Sequence, residues 1–245
     1  MQQELENVLF QTIDQVSFIT LNMPDTGNKI PQSVVTRLGE LLEQASLDHS
    51  LKAVVINAHG EHFCQGRDGG KKANDTPPTP LQLREKMMGP ITKVYSALRA
   101  IQVPVVAVVQ GEANGFGAAL AGSADITIAA DNSQFSFPEL LVDMPPTLAM
   151  ATVMDRVGPK ALSWLVYTNA HISAQRACQI GLVSEVVPLK ELLLAQDKLL
   201  TQLRARSIPA LATVKDFLAN CRLDEFGQAA NYAKNSLALV LSSKQ

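Results

Sequence analysis

Two glycine-bearing loops, Phe63-Cys64-Gln65-Gly66-Arg67-Asp68 and Gly115-Phe116-Gly117, each follow an apolar run of strand character, and Phe137-Pro138-Glu139 comes after the second. A helix that begins at a glycine turn leaves its first N–H groups without intrahelical acceptors and places the positive end of its dipole there. Small residues let a ligand oxygen approach the main chain closely. One N–H from the Gly66-Arg67-Asp68 turn and one from the second loop can therefore converge on a single oxygen. The Glu139 carboxylate supplies a group able to move a proton nearby. Those are the parts needed to stabilise an enolate. Taken singly, each loop also fits a structural role, because glycines permit close helix packing.

The 245 residues are 47% hydrophobic and 18% charged, which excludes a mainly disordered chain and fits one domain with a large core. A net charge of -2 provides no general basic surface, so no nucleic acid partner is expected. The apolar run 103–109 is interrupted by Pro104 and is far too short to cross a bilayer. The polar, acidic start Met1-Gln2-Gln3-Glu4-Leu5-Glu6 lacks a signal-peptide core, so a soluble, cytoplasmic protein without membrane contact is expected. Cys64, Cys178 and Cys221 are widely separated and show no metal-ligand spacing, which predicts free thiols and no metal. Cys64 lies in the first loop, but no histidine at an informative spacing would activate it; His62 is too near in sequence.

The elements that must position these groups follow from periodicity. Segments 8–12 and 16–21 read as a hairpin, and Val34, Leu38, Leu41, Leu42 and Ala45 mark one face of a helix. Strands are expected at 53–57, 105–109 and 125–130, with helices at 81–101 and 118–122. Residues 69–80 hold Lys71, Lys72 and three prolines and are expected to form a mobile surface segment. This alternation predicts α/β layers. Beyond Pro145-Pro146 the pattern is mostly helical, with Ser173 capping a helix over 174–180, a strand at 183–187, and helices over 189–206, 209–221 and 225–241. Leu192, Leu199, Leu203, Leu237 and Leu241 exceed what a small peripheral layer should need, which predicts packing against a neighbouring subunit. The expected division is an α/β core over 1–188 and a helical region over 189–245.

From about residue 8 to residue 220 the chain resembles the enoyl-CoA hydratase/isomerase, or crotonase, superfamily. The resemblance is carried by 54–68 (VVINAHGEHFCQGRD), 104–117 (PVVAVVQGEANGFG), 124–129 (ADITIA), Phe137-Pro138-Glu139 and 177–183 (ACQIGLV). It implies a crotonase-like spiral of ββα repeats with a C-terminal helical region that builds trimers or hexamers. It also implies an acyl-CoA substrate, with no cofactor beyond the coenzyme A of that substrate. The backbone N–H groups of Arg67 and Phe116 would form the oxyanion hole around the thioester carbonyl. Cys64, Gly66, Asp68, Gly115 and Gly117 would shape the substrate site, with the adenine near the 64–68 loop. The Arg67 side chain, Lys71 and Lys72 either meet coenzyme A phosphates or are solvated surface cations.

Hydratases of the family usually carry two glutamates, one in the helix after the second loop. That position is Ala119 here, so Glu139 alone remains. One carboxylate can take a proton from C2 and return it at C4, a Δ3 to Δ2 double-bond shift. Facing an apolar acyl pocket, its pKa would be raised by desolvation. Glu139 also reads as a helix N-terminal carboxylate after Pro138 that complements the dipole. Asp143 lies four residues on, and a continuous helix would place both acids on one face. It is then either a second polar group in the site, suiting hydration or thioester hydrolysis, or an exposed helix residue. Phe116 stands where glycine is common and narrows the site; Thr26 replaces a frequent basic residue; Glu112 reads as a solvated strand-end acid. The competing functions are hydratase, hydrolase or decarboxylase of an acyl-CoA or carrier-bound thioester, and an acyl-CoA-binding protein without chemistry.

Overall fold

The computed structural model describes residues 7–69, 79–221, 228, 230 and 232–237. Strands β1 (Val8–Ile13) and β2 (Val16–Leu21) form an antiparallel hairpin. Asp14 and Gln15 turn it with φ of 49° and 63°, the left-handed conformation whose twist matches that of the flanking strands. Parallel to β2 run β3 (Ala53–Ala58), β4 (Val105–Val109), β6 (Ile126–Ala130) and β9 (Glu185–Val187), giving a six-stranded sheet in the order β1-β2-β3-β4-β6-β9. A smaller three-stranded sheet holds β5 (Glu112–Asn114), β7 (Gln134–Ser136) and β8 (Ile172–Ser173) in the order β5-β7-β8. The chain thus steps from a strand of the large sheet to one of the small sheet, as in β4 to β5 and β6 to β7, which is the expected α/β spiral of ββα units.

The helices are α1 (Gln32–Ser46), α2 (Gly89–Ala100), α3 (Phe116–Ser123), α4 (Thr147–Val153), α5 (Pro159–Thr168), α6 (Ala174–Gln179), α7 (Leu192–Arg204) and α8 (Ile208–Asn220). In α1 the residues spaced by three and four, Val34, Leu38, Leu41, Leu42 and Ala45, are buried. The region expected as one helix over 81–101 is divided. Thr79 caps Pro80–Gln82, Leu83–Met88 is π-helical, and α2 begins at Gly89. The strands β5, β7 and β8 went unforeseen, since two or three residues are too few for an alternation to show. Among the described residues no helix is long and apolar enough to cross a membrane.

Because both faces of β3 and β4 are covered, they read as continuous apolar runs. Their alternate side chains divide between two cores. Val54, Ile56, Val105, Ala107 and Val109 pack with the buried residues of α1, α2 and α3. Ala53, Val55, Val106 and Val108 face the other way, against Leu192, Leu200 and Leu203 of α7, with Leu199 partly buried beside them. This corrects the expectation for Leu192, Leu199 and Leu203: they cover the outer face of the chain's own sheet. The exposed apolar side chains of this region instead include Leu193, Leu194, Val214, Leu218 and Leu237. Leu241 lies outside the described residues, as do parts of the helix expected over 225–241.

Helix α8 is anchored by a buried cation. Lys215 Nζ meets Asp125 Oδ2 at 2.8 Å and donates to the carbonyls of Leu98 at 3.3 Å and Val103 at 3.1 Å. Burial lowers its pKa while Asp125 opposes that shift. Removing one partner of a buried pair leaves the other uncompensated, at about 3–5 kcal/mol when fully buried. Asp125 keeps 25% of its side chain exposed, also meets Arg156 Nη2 at 3.5 Å and accepts from the Val105 N–H at 2.8 Å, so it is not left uncompensated and the cost here is smaller. Lys215→Met should reduce unfolding free energy by on the order of 2 kcal/mol in urea denaturation. An unchanged transition would show that this anchor contributes nothing.

Candidate active site

The first glycine loop is held along two different edges. Cys64 N–H donates to Glu112 O at 3.0 Å, and Asn114 N–H donates back to Cys64 O at 2.9 Å, fastening Cys64 to β5. Two residues later the partner changes: Ile30 N–H donates to Gly66 O and Asp68 N–H to Ile30 O, both at 2.9 Å. In extended backbone, successive N–H groups point to opposite sides. The Arg67 N–H is therefore turned away from Ile30, toward the side where β5 ends and Gly115 begins. Among the described residues it donates to no protein acceptor.

The second loop reaches the same place. Gly115 takes φ 53° and ψ −111°, a conformation closed to side chains, and caps the N-terminus of α3. Phe116 is the first residue of α3, and its N–H likewise has no acceptor among the described residues. The loops touch: a Cβ on Gly117 would lie 2.2 Å from Cys64 O, and one on Gly66 would lie 3.2 Å from Asn114 O. At Gly117 glycine is a steric requirement, and at Gly66 a φ of 101° favours it.

Glu139 follows Pro138 in a 3-10 turn, Pro138–Val142. A Cβ on Gly115 would stand 2.5 Å from its Oε1, so the carboxylate rests against the start of α3. Its Oε2 is buried and has no hydrogen-bond partner among the described residues. Burial raises its pKa above the ordinary carboxylate value, opposed weakly by its own backbone N–H. Tyr95 of α2 was not singled out by sequence, where it reads as one more core aromatic. It is buried, and its ring stacks on Phe116 with centroids 5.7 Å apart. Burial raises its pKa, and the charges of Glu139 and Cys64 add to that while Arg67 opposes it. The Tyr95 phenol thus lies within electrostatic reach of both loops and the acid.

Other expected site residues fall differently. Asp143 does not share a face with Glu139. The intervening backbone is 3-10, with about three residues per turn, so positions four apart diverge. Asp143 then ends the turn in the left-handed region at φ 54° and is exposed. Cys64 is fully buried and burial pushes its thiol up to about 12, so its contribution is main-chain shape and packing rather than nucleophilic attack or a thiol contact. Gly66, Gly115 and Gly117 are buried, Asp68 is exposed, and Lys71 and Lys72 lie outside the described residues. Glu112 is not a solvated strand end: it is half-buried in β5 and accepts from Gln65 Nε2 at 3.1 Å and Asn114 Nδ2 at 2.8 Å. His62 Nδ1 accepts from the Glu112 N–H at 3.2 Å. Ala119 is fully buried inside α3. The described residues contain no group of histidine, cysteine and acidic side chains able to hold a metal ion. Open clefts lie elsewhere, about 490 Å³ beside Lys215, about 430 Å³ beside Thr201 and about 290 Å³ beside Trp164. None joins a desolvated acid to a glycine turn, so chemistry rather than size singles out the Glu139 face.

Comparison with known proteins points the same way. The sequence model of the enoyl-CoA hydratase/isomerase family matches residues 11–238. The 2,3-dehydroadipyl-CoA hydratase of Escherichia coli is 31% identical over 183 residues, 71% of this chain and 66% of that protein. The short-chain-enoyl-CoA hydratase of Clostridium acetobutylicum is 30% identical over 194 residues, 78% of this chain and 72% of its own. The solved structure of an enoyl-CoA hydratase from Mycobacterium smegmatis superposes with a TM-score of 0.88 at 26% identity, covering 96% of this chain and 91% of that one. With two glycine loops in contact, a proline-preceded glutamate against them and a family match over nearly the whole chain, this protein belongs to the enoyl-CoA hydratase/isomerase family.

Proposed function

We propose that the protein isomerises an enoyl-CoA, shifting the double bond from C3 to C2. Glu139 takes a proton from C2 of a 3-enoyl thioester, and the electrons pass to the thioester oxygen as a dienolate. The free N–H groups of Arg67 and Phe116 stabilise that oxygen. The protonated Glu139 then delivers its proton to C4, the carbonyl re-forms, and the conjugated 2-enoyl thioester results. No water and no second acid are required. The observation that carries this reading is the pairing of a buried, unpartnered Glu139 Oε2 with a fully buried alanine at position 119.

Hydration is the second reading, favoured by the names of relatives such as the hydratases of Escherichia coli and Clostridium acetobutylicum. It needs a water activated and a proton delivered, which two carboxylates do more readily than one. Asp143, at the surface end of its turn, does not supply the second. We also propose that the exposed apolar residues Leu193, Leu194, Val214 and Leu218 meet other copies of the chain in a trimer or hexamer.

Purified protein supplied with a 3-enoyl-CoA should yield the conjugated isomer. Glu139→Gln should slow this about 10²- to 10⁴-fold, whereas Asp143→Asn should leave it within a few-fold. A 3-hydroxyacyl-CoA as the main product from a 2-enoyl-CoA would establish hydration instead. The pH dependence has a definite sign. The base works ionised and its pKa is raised, so the acid limb of kcat should fall off at higher pH than an ordinary glutamate would give. By the same shift the folded state binds this proton more tightly than the unfolded chain does, and stability declines as pH rises through that window. Glu139→Gln should therefore be more stable than the parent at neutral pH, the difference closing on acidification below the unfolded glutamate range. A variant equally stable or weaker at pH 7 would contradict the desolvated-base description. Leu193→Glu combined with Leu218→Glu should lower the mass measured by light scattering; an unchanged mass removes this face from the interface.

A further inference from the structure

Besides offering its backbone N–H, Arg67 brings a cation into the site. The side chain is half-buried, and its guanidinium makes one hydrogen bond, from Nη2 to Gln32 Oε1 at 2.5 Å. Gln32 in turn donates from Nε2 to the Lys86 carbonyl at 3.2 Å, within the π-helical turn Leu83–Met88. Arg67 Nε is buried with no acceptor among the described residues. Among the described residues no carboxylate forms a salt bridge with this guanidinium, and desolvation lowers its pKa with only the Tyr95 phenol opposing. Arginine is rarely taken out of water without an acid to meet it. A planar fork with five donors and a single acceptor is a receptor for an anionic oxygen group.

Its position indicates which anion. The guanidinium and the Glu139 carboxylate both act on Tyr95, whose ring lies on Phe116. Phe116 opens the helix against whose start the Glu139 carboxylate rests, and Gly66, next to Arg67, packs on Asn114, next to Gly115, so the loop that bears the guanidinium adjoins that acid. The tie through Gln32 also draws Arg67 toward the start of α1 and the turn before α2. We infer that the acyl group accepted here bears a carboxylate that docks on the Arg67 guanidinium beside the Tyr95 hydroxyl. This rests on the acyl-CoA reading above and names its substrate class: a thioester whose acyl chain ends in an acid.

The test is binding of saturated, unreactive acyl-CoA pairs to the full-length protein by calorimetry, each pair being an ω-carboxyl chain and its ω-methyl ester at several chain lengths. At the fitting length the carboxylate should bind at least about tenfold tighter. Arg67→Met should bring that ratio near one, and Arg67→Lys should retain part of it. Equal binding of acid and ester by the parent protein at every length overturns the inference. So does an Arg67→Met variant that weakens acid, ester and free coenzyme A alike, which would assign the guanidinium to a coenzyme A phosphate. Thermal melts verify that both variants are folded, and the parent ratio decides the matter even if one is not. Since these ligands do not react, failure of the isomerase assay would overturn the proposed reaction without touching this result.

Discussion

The structure turns on backbone atoms brought closer than any side chain would allow. Gly117 sits so near the Cys64 carbonyl that a methyl group would overlap it, and Gly115 holds the Glu139 carboxylate at the same kind of distance. These contacts bring a strand-end turn and a helix N-terminus together with N–H groups to spare. Main-chain donors are usually all spoken for in a folded interior. Two left open among the described residues are costly unless an acceptor oxygen completes them.

The large sheet and its two cores provide the rigidity this requires. β3 and β4 are covered on both faces, by α1, α2 and α3 on one side and α7 on the other. The first loop leaves β3, and the second follows β4 by way of β5, so both glycine turns extend from neighbouring parallel strands. The small sheet adds the third point, since β7 leads directly to Phe137-Pro138-Glu139 while pairing with β5. The placement of the acid against the second loop is thus fixed by pairing between two three-residue strands. The desolvation that raises the Glu139 pKa also opposes folding at neutral pH.

Much of the fold was legible because it is local. The hairpin, the amphipathic stripe of α1, the apolar runs of β3 and β4 and the Ser173 cap each follow from spacing within a single segment. The failures share a cause as well. β5, β7 and β8 are too short to show a period. The π turn at Leu83–Met88 runs into Gly89-Pro90, the pair least suited to a helix interior, and divides a segment whose apolar period suggested one helix. Leu192 and Leu203 looked surplus only because the uncovered face of the sheet cannot be counted from sequence.

For the candidate site, residue types and order alone pointed to the glycine loops and Glu139, because backbone permissiveness and a carboxylate are properties of the residues themselves. Only the tertiary structure decided which neighbours they have. It removed Asp143 by ending the turn in left-handed backbone, withdrew Cys64 into the core, and brought Tyr95 and Gln32 from distant helices. A side chain's chemistry is written in the chain, but its protonation, exposure and partners depend on what folding packs around it.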